Sequence, residues 1–375
     1  MAADWEKYLQ RWFDAGLVDV AAAENVRAFE ARNAPAQGLN HAVVAALVFG
    51  ALTLGAGVLL FVSAHWESLS PLSRISLVLL MVAVFHVAGA FTAGGFPHLS
   101  TTLHLVGTVS LGAGIFMAGQ IFNMQEHWPA GIMLWAFGAW IGWELREDWP
   151  HAALIALLTP AWLAGEWIVA TQEFRSAGPD VLSHGLLLLA IAYFTAQTAE
   201  KESQVRRALV IIGGLTLIPL TLFVLLTGTS LFWRGTSELN PALVALGWLV
   251  AVALPLGVAY LFRGRAVWMN LPAAAWVLIL GKLDPHPKDL LPYVWCAVGS
   301  AGLVAWGLGE ARRERINLGM AAFALTVLVF YFSAVMDKLE RSFSLISLGI
   351  LFLGGGWALQ RIRRFLIARL EGGRL

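Results

Sequence analysis

Apolar runs of about 20 residues recur along this chain from residue 42 to residue 361. A helix of that length crosses roughly 30 Å of hydrocarbon, and it satisfies its own backbone hydrogen bonds where water is absent. The runs therefore predict an all-α, polytopic membrane helix bundle. Twelve such runs are present, at residues 42–62, 74–93, 102–122, 129–145, 151–169, 182–199, 206–227, 241–262, 266–281, 290–309, 315–333 and 342–361.

The composition excludes a soluble fold. Hydrophobic residues make up 58% of the 375 residues and charged residues only 13%, whereas about a quarter of an ordinary globular protein is charged. The formal net charge of +1 offers no basic surface for nucleic acid, so we expect no nucleic-acid partner. Cys296 is the single cysteine, which excludes an intrachain disulfide and a cysteine-based zinc site. We expect no cofactor and no metal.

The distribution of Lys and Arg predicts the orientation of the bundle. Cytoplasmic loops collect these residues, and with twelve spans 18 of them fall on the side of the N-terminus and 7 on the other side. We therefore predict that both termini are cytoplasmic. The run at 266–281 is short and carries Pro272, so it is either a full span or a re-entrant or broken segment.

The first 38 residues are predicted to form a cytoplasmic amphipathic helical hairpin rather than a signal peptide. Trp5, Leu9 and Trp12 follow helical spacing, Gly16 can end the first helix, and Asp19 can cap the second. The hairpin either packs on the membrane domain and the bilayer interface or docks a cytoplasmic protein partner. The predicted organisation is the hairpin at 1–38, a transmembrane domain at 39–362 and a basic cytoplasmic tail at 363–375.

An internal duplication is a further possibility that the spacing raises. An offset of about 163 residues places the first six predicted spans on the last six, and Trp143 and Glu147 then align with Trp306 and Glu310. Such a duplication would be a parallel repeat of six helices in each half. Chance similarity between two apolar, glycine-rich halves stays open as the alternative.

Three segments resemble one known family. These are the hairpin sequence WFDAGLVDV, the sequence SAHWE at the end of the first run and the sequence GQIFN at the end of the third. They resemble the bacterial membrane-protein family named domain of unknown function 2157. The resemblance implies a bacterial inner-membrane location and a many-helix fold, but it brings no activity. The matching positions are Trp12, Gly16, Leu17, Ala64, Trp66, Glu67, Gln120, Ile121, Phe122 and Asn123.

Polar side chains gather at the predicted outer ends of the first, third, fifth and sixth spans. Polar groups near hydrocarbon are costly and are therefore candidate functional groups. Imidazole, carboxylate and amide groups could together hold a polar headgroup or relay protons, or they could be hydrated helix ends without a ligand. The predicted ligand-binding residues are His65, Trp66, Glu67, Gln120, Asn123, His127 and Glu166, with Glu126 and His184 nearby.

Other polar or irregular positions lie elsewhere in the predicted spans. His86 falls deep in the second span, where it is either proton-linked or bonded to a neighbouring helix. The charged run from Glu144 to Asp148 is interpreted as solvated capping charges. Prolines inside spans free backbone carbonyls and are common at transport sites; they are Pro160, Pro219, Pro255 and Pro272.

Three functions remain open at the level of the sequence. The first is secondary transport or handling of a polar or amphipathic, lipid-like ligand through the outer-side cluster, with membrane lipids as partners. The second is a membrane scaffold or envelope sensor that signals through the hairpin. An intramembrane enzyme that acts on lipid or envelope precursors is the third and least supported, and its site could be assembled from scattered residues. The absence of a nucleotide-binding loop, a nucleophile elbow and a metalloprotease motif argues against an ATP-driven pump. The sequence leaves the ligand and the oligomeric state open.

Overall fold

The described part of the protein is helical throughout. The computed structural model describes residues 2–33, 70–121, 127–171, 178–197, 203–227, 240–283, 289–335 and 341–372, with isolated residues between 46 and 64. The helices in these residues are α1 Ala2–Asp14, α2 Val20–Asn33, α3 Pro71–Thr92, α4 Pro97–Ile121, α5 Pro129–Arg146, α6 Trp149–Thr171, α7 Gly178–Phe194, α8 Gln204–Thr227, α9 Pro241–Arg263, α10 Asn270–Leu280, α11 Leu291–Gly309, α12 Arg313–Phe330 and α13 Arg341–Gly372.

Helices α1 and α2 form a hairpin, and its turn contains the glycine and the capping aspartate that the sequence predicts. Gly16 has a φ of 68°, a left-handed conformation that costs glycine little. The Asp19 carboxylate accepts a hydrogen bond of 2.6 Å from the Ala22 amide, which caps the start of α2. An ion pair of 3.7 Å between Arg27 and Glu6 joins the two helices.

Seven helices among the described residues are long and apolar enough to cross a membrane. They include α3, α4, α6, α8, α11 and α12, and a continuous helical stretch from Pro241 to Leu280. The protein is therefore a multi-pass membrane protein. The first predicted run falls mostly outside the described residues, and α7 is a shorter apolar helix. The count of twelve spans and the internal repeat accordingly stay predictions.

Consecutive helices pack together in pairs, α3 with α4, α5 with α6, α7 with α8, and α11 with α12. Small residues such as Gly114 and Gly138 bring the paired helices close together. A Cβ built at Gly114 would lie 2.9 Å from the Val78 side chain, and one at Gly138 would lie 2.6 Å from Leu111. Because no space is left for a methyl group, these glycines act in helix packing.

The short run at 266–281 is irregular in the structure. A 3₁₀ turn from Gly264 to Met269 precedes α10, which has 11 residues and a length of about 16 Å. Pro272 lies in the first turn of α10, where the missing amide hydrogen costs no helical hydrogen bond. The interpretation of Pro272 as a break inside a helix is therefore wrong, whereas Pro160, Pro219 and Pro255 do lie inside helices.

One end of the bundle gathers arginine side chains. Four helix ends pack together there, namely the starts of α6 and α8 and the ends of α7 and α9. The apolar side chains in contact are Ala156, Ala196, Leu209 and Phe262. The Arg206 guanidinium lies over the Phe262 ring and donates to the Ala196 carbonyl. We call this the arginine end, and the distribution of Lys and Arg predicts that it faces the cytoplasm.

Candidate functional site

The predicted outer cluster is described only in part. His127 and Glu166 come together, with 3.0 Å between the imidazole Nε2 and a carboxylate oxygen. The Trp162 indole donates a hydrogen bond of 2.8 Å to the same carboxylate. Gln120 lies in the last turn of α4. The side chains of Gln120, His65, Trp66, Glu67, Asn123 and Glu126 lie outside the described residues, so the predicted pocket stays a prediction.

His184 is separate from the His127–Glu166 pair, because its side chain is buried inside the bundle. The imidazole packs edge-on against Trp248 of α9, with 5.1 Å between ring centroids. Its Nδ1 lies 2.5 Å from the Asp180 carbonyl oxygen of the same helix. These contacts join α7 to α9.

His86 is paired with a second histidine that sequence reasoning missed. Its Nδ1 lies 2.9 Å from Nδ1 of His104 on α4, and the ring centroids are 5.2 Å apart. We call His86 and His104 the histidine pair. The predicted bond from His86 to a neighbouring helix is therefore present. His104 was overlooked because it lies nearer to a predicted span end, where a polar residue needs no special explanation.

A polar chain continues from α4 toward the arginine end. Thr108 Oγ1 lies 3.1 Å from His151 Nε2, and His151 Nδ1 lies 2.6 Å from an Asp148 carboxylate oxygen. Arg146 donates to the other Asp148 oxygen at 3.1 Å and to Thr101 of α4 at 3.3 Å. The Asp148 side chain is only 14% exposed. The interpretation of this charged run as solvated caps is thus wrong for Arg146 and Asp148, although Asp148 does cap α6 by accepting from the His151 amide.

A second buried network lies between α7, α9, α10, α11 and α12. Glu310 accepts from Arg263 at 2.5 Å, from Arg315 at 2.6 Å and from the Trp306 indole at 2.6 Å. Both guanidinium groups lie over the Trp306 ring, 5.1 Å and 5.4 Å from its centroid. We call the set the arginine network; its members are Thr195, Arg263, Asn270, Trp306, Glu310 and Arg315.

The rest of the arginine network ties the helix ends together. Arg263 donates to the Thr195 carbonyl at 2.7 Å, and Arg315 donates to the Gln197 carbonyl at 2.9 Å. Asn270 donates to the Thr195 hydroxyl at 3.1 Å, while its own buried carbonyl oxygen has no hydrogen-bond partner among the described residues. Sequence reasoning counted Arg263 and Arg315 only as loop charges, because their burial depends on the fold.

The carboxylates of the two networks are stabilised in their charged form. Burial disfavours the Glu310 carboxylate, but the hydrogen bond from Arg263 and the charge of Arg315 outweigh burial and lower its pKa from 4.5 to about 2. Burial also disfavours the Asp148 carboxylate, yet hydrogen bonds from His151 and Arg146 lower its pKa below 3.8. Both groups are therefore anions at neutral pH.

An apolar cavity of about 700 Å³ lies between α7, α8, α10, α11 and α12. Thr195 and Trp306 line it at the arginine end, and Tyr293 lines it near the opposite end of α11. Trp306 follows Tyr293 by 13 positions, which corresponds to about 20 Å along the helix. The cavity therefore extends through much of a hydrocarbon layer that is roughly 30 Å thick.

The cavity is open on one side. Trp268, Ile279 and Val298 line it, yet each remains 44–62% exposed. At the end away from the arginine network, the Tyr293 hydroxyl bonds to the Ser333 hydroxyl at 2.6 Å. The cavity thus has apolar walls, a lateral opening and hydrogen-bonding groups near both ends.

The N-terminal part of the chain is similar to one known family. Residues 10–148 match the family model described as predicted membrane protein (DUF2157). The resemblance inferred from the hairpin and the first runs is confirmed over this segment. The DUF2157 segment contains the histidine pair, Arg146 and Asp148, whereas the arginine network and the apolar cavity lie beyond it. No curated protein and no solved structure matches the chain.

No group of three or more His, Cys, Asp and Glu side chains that could hold a metal ion occurs within the described ranges. The charged side chains of the two networks bond to one another, to backbone groups and to neighbouring polar side chains. The geometry thus presents two polar networks and one apolar cavity.

Proposed function

We propose that this membrane protein binds and handles an amphipathic, lipid-like ligand, whose acyl chain occupies the apolar cavity. The observation that carries the proposal is the cavity itself, a volume of about 700 Å³ between five helices with apolar walls. A volume of this size suits a small-molecule ligand. The sequence alone pointed to polar or amphipathic ligands, and the cavity favours the amphipathic class.

The hydroxyl groups in the cavity wall support an apolar occupant. Ser300, Thr221 and Thr326 line the cavity, and each donates its hydrogen to a carbonyl one turn earlier in its own helix. These hydrogens are therefore not free to bind a polar solute. An ion or a sugar in this cavity would lose its hydration without replacement bonds, which costs several kcal/mol for each polar group.

The ends and the opening of the cavity suit a lipid. The lateral opening beside Trp268 and Val298 would admit an acyl chain directly from the bilayer, without passage through water. At the arginine end the cavity wall includes Thr195, whose carbonyl and hydroxyl groups belong to the arginine network. With two arginines and one glutamate the arginine network carries a net positive charge, which favours a ligand with an anionic or polar head nearby.

The predicted outer-side cluster would be a second region of the protein that contacts the ligand. His127 and Glu166 form its described part, and a ligand that crosses from one membrane face to the other would meet both regions. We place the protein in the bacterial inner membrane with both termini in the cytoplasm. This placement rests on the family resemblance and on the distribution of Lys and Arg.

The test uses phosphatidylethanolamine with a diazirine in one acyl chain, incorporated into nanodiscs with the full-length protein. After illumination, peptides of α8, α10 and α11 should carry the crosslink. Gly302 lines the cavity, and a Cβ built there would meet no atom within 4 Å. Gly302→Phe should therefore place a ring in the cavity without disturbing the helices, and crosslinking to these peptides should fall at least severalfold.

Gly257→Phe is the matched control. A Cβ at Gly257 also meets no atom within 4 Å, but Gly257 lies on α9 and does not line the cavity. This variant should keep the wild-type crosslinks. Equal labelling of the wild type and Gly302→Phe, or labelling spread evenly over all lipid-facing helices, would refute the proposal.

The scaffold or sensor function has one observation in its favour. The hairpin exposes large apolar side chains, with Leu17 75% and Val20 61% exposed near the turn. A cytoplasmic partner or the bilayer surface could cover them. Deletion of residues 1–34 should abolish signalling under this second hypothesis while lipid crosslinking to the cavity persists; full activity after the deletion would exclude it.

A further inference from the structure

The histidine pair has a reciprocal arrangement with two glycines. His86 is followed three residues later by Gly89, and His104 is followed three residues later by Gly107. A Cβ built at Gly107 would lie 2.8 Å from His86 Nε2, and one at Gly89 would lie 2.7 Å from His104 Cδ2. Each imidazole therefore rests on the glycine of the opposite helix. The glycines create the space that lets the two rings meet.

The contact between the two rings requires one hydrogen atom between their Nδ1 atoms. The two Nδ1 atoms are 2.9 Å apart, so one ring must donate and the other must accept. In the neutral pair, the donor ring carries its hydrogen on Nδ1 and has an unprotonated Nε2. The acceptor ring carries its hydrogen on Nε2. Both rings are half-buried, and the Nε2 atom of each ring lies close to the glycine of the opposite helix.

We propose that the histidine pair is a binding site for a single proton within the membrane domain. The proton adds to Nε2 of the donor ring, which becomes an imidazolium and still donates from Nδ1 to its partner. A second proton would have to occupy the accepting Nδ1, which would break the contact and leave two cations with centroids 5.2 Å apart. The pair therefore binds one proton and excludes a second.

Three ionisable side chains outside the pair act on the two rings. Arg146 and His151 act electrostatically on both rings, and Asp148 acts on His104. Arg146 opposes protonation of the pair and Asp148 favours it, while His151 opposes it when it is itself protonated. Asp148 bonds to both Arg146 and His151, so part of its charge is already compensated there. A second positive charge on the pair would therefore meet the charge of Arg146 with only part of the Asp148 charge to offset it.

A chain of hydrogen bonds from Thr108 through His151 to Asp148 lies next to the pair. If His151 is an imidazolium, its two N–H groups donate to Asp148 and Thr108, and the Thr108 hydroxyl donates to the His104 carbonyl at 3.1 Å. Every hydrogen then has an acceptor. This chain connects the turn of α4 that carries His104 with the arginine end. The proton site is independent of lipid binding, because the histidine pair does not line the apolar cavity.

The test is nuclear magnetic resonance of the full-length protein in nanodiscs, with ¹⁵N in the histidine rings. Spectra are recorded between about pH 8 and about pH 4, the range in which histidine titrates. We expect a coupling across an N–H···N bond between nitrogens of two different rings. On acidification, one Nε2 of that coupled pair should become protonated while the coupling persists, which corresponds to an uptake of one proton.

Substitutions assign the signals and provide the control. His86→Gln and His104→Gln should each remove the coupling and change the titration of the remaining ring. His98→Gln, at an exposed position on α4, should change neither. The wild-type spectra decide the question even if a variant does not fold. A pair that stays neutral down to about pH 4, or one that takes up two protons, would overturn the proposal.

Discussion

Glu310 balances the two buried guanidinium groups of the arginine network. The Arg263 and Arg315 side chains are 0% and 1% exposed, so they depend on this carboxylate rather than on water. Removal of one partner from a buried ion pair leaves an uncompensated charge. The network thus holds the ends of α9, α11 and α12 together only while Glu310 is charged.

Glu310→Gln should lower the free energy of unfolding by about 3 kcal/mol, because two buried cations would lose their anion. The measurement is reversible unfolding of the purified protein in mixed micelles. Glu314→Gln is the matched control, since Glu314 forms a longer pair of 3.6 Å with Arg312 and is 38% exposed. Its effect should stay within about 1 kcal/mol. Equal effects of the two substitutions would contradict the assigned role of Glu310.

The low pKa of Glu310 predicts how stability depends on acid. Its folded-state pKa of about 2 lies below its ordinary value of 4.5, so the ionised carboxylate stabilises the fold. This stabilisation is complete above pH 4.5 and is lost as the pH falls toward 2. In thermal unfolding scans, wild type should therefore lose stability below pH 4.5 more steeply than Glu310→Gln. A steeper loss between neutral pH and pH 5 in wild type than in the variant would argue against this assignment.

Single residues were the hardest features to predict from the sequence. His86 was recognised because it is a polar residue deep in an apolar run. His104, Arg263 and Arg315 were not recognised, since each lies within a few residues of a predicted span end. Whether such a residue faces water or a neighbouring helix depends on how its helix is rotated and on which helices it contacts. The helices of this chain have apolar residues on all sides, so the sequence pattern does not indicate their rotation.

The α3–α4 contact depends on the absence of a side chain at Gly107. Gly107→Ala should destabilise the protein by about 1–3 kcal/mol, because its methyl group would press on the His86 ring. The measurement is again the free energy of unfolding. At Gly119 of the same helix a Cβ meets no atom within 4 Å, so Gly119→Ala should be neutral or stabilise the helix by up to about 1 kcal/mol. In a double-mutant cycle, Gly107→Ala should destabilise the protein less when His86→Ala is also present, because the ring that the methyl group presses on is gone. If the two changes in the free energy of unfolding simply add, the reciprocal packing is contradicted.

Helices were predicted well from the sequence where local chemistry decides them. Gly16 and Asp19 define the hairpin turn through backbone freedom and capping, and both act as expected. Pro272 was misplaced because a proline pattern does not distinguish the first turn of a helix from its interior. The 3₁₀ turn from Gly264 to Met269 could not be read from an apolar run that continues through it.

The class of the whole molecule followed from composition and apolar runs, because lipid leaves a spanning chain few alternatives to the helix. The apolar cavity was not predictable in the same way. Its wall comes from five helices that are apolar on all sides, and only their packing determines which faces enclose a space. The outer-side cluster that the sequence favoured and the cavity that the structure contains are therefore different regions of one bundle.

The central claim, that a lipid acyl chain occupies the apolar cavity, is tested most directly by a cryo-electron microscopy structure of the full-length protein in lipid nanodiscs. Density for an acyl chain should run between α8 and α11 beside Gly302 and end near Thr195 and Trp306. A cavity that contains only water, or one filled by side chains of the protein itself, would contradict the account.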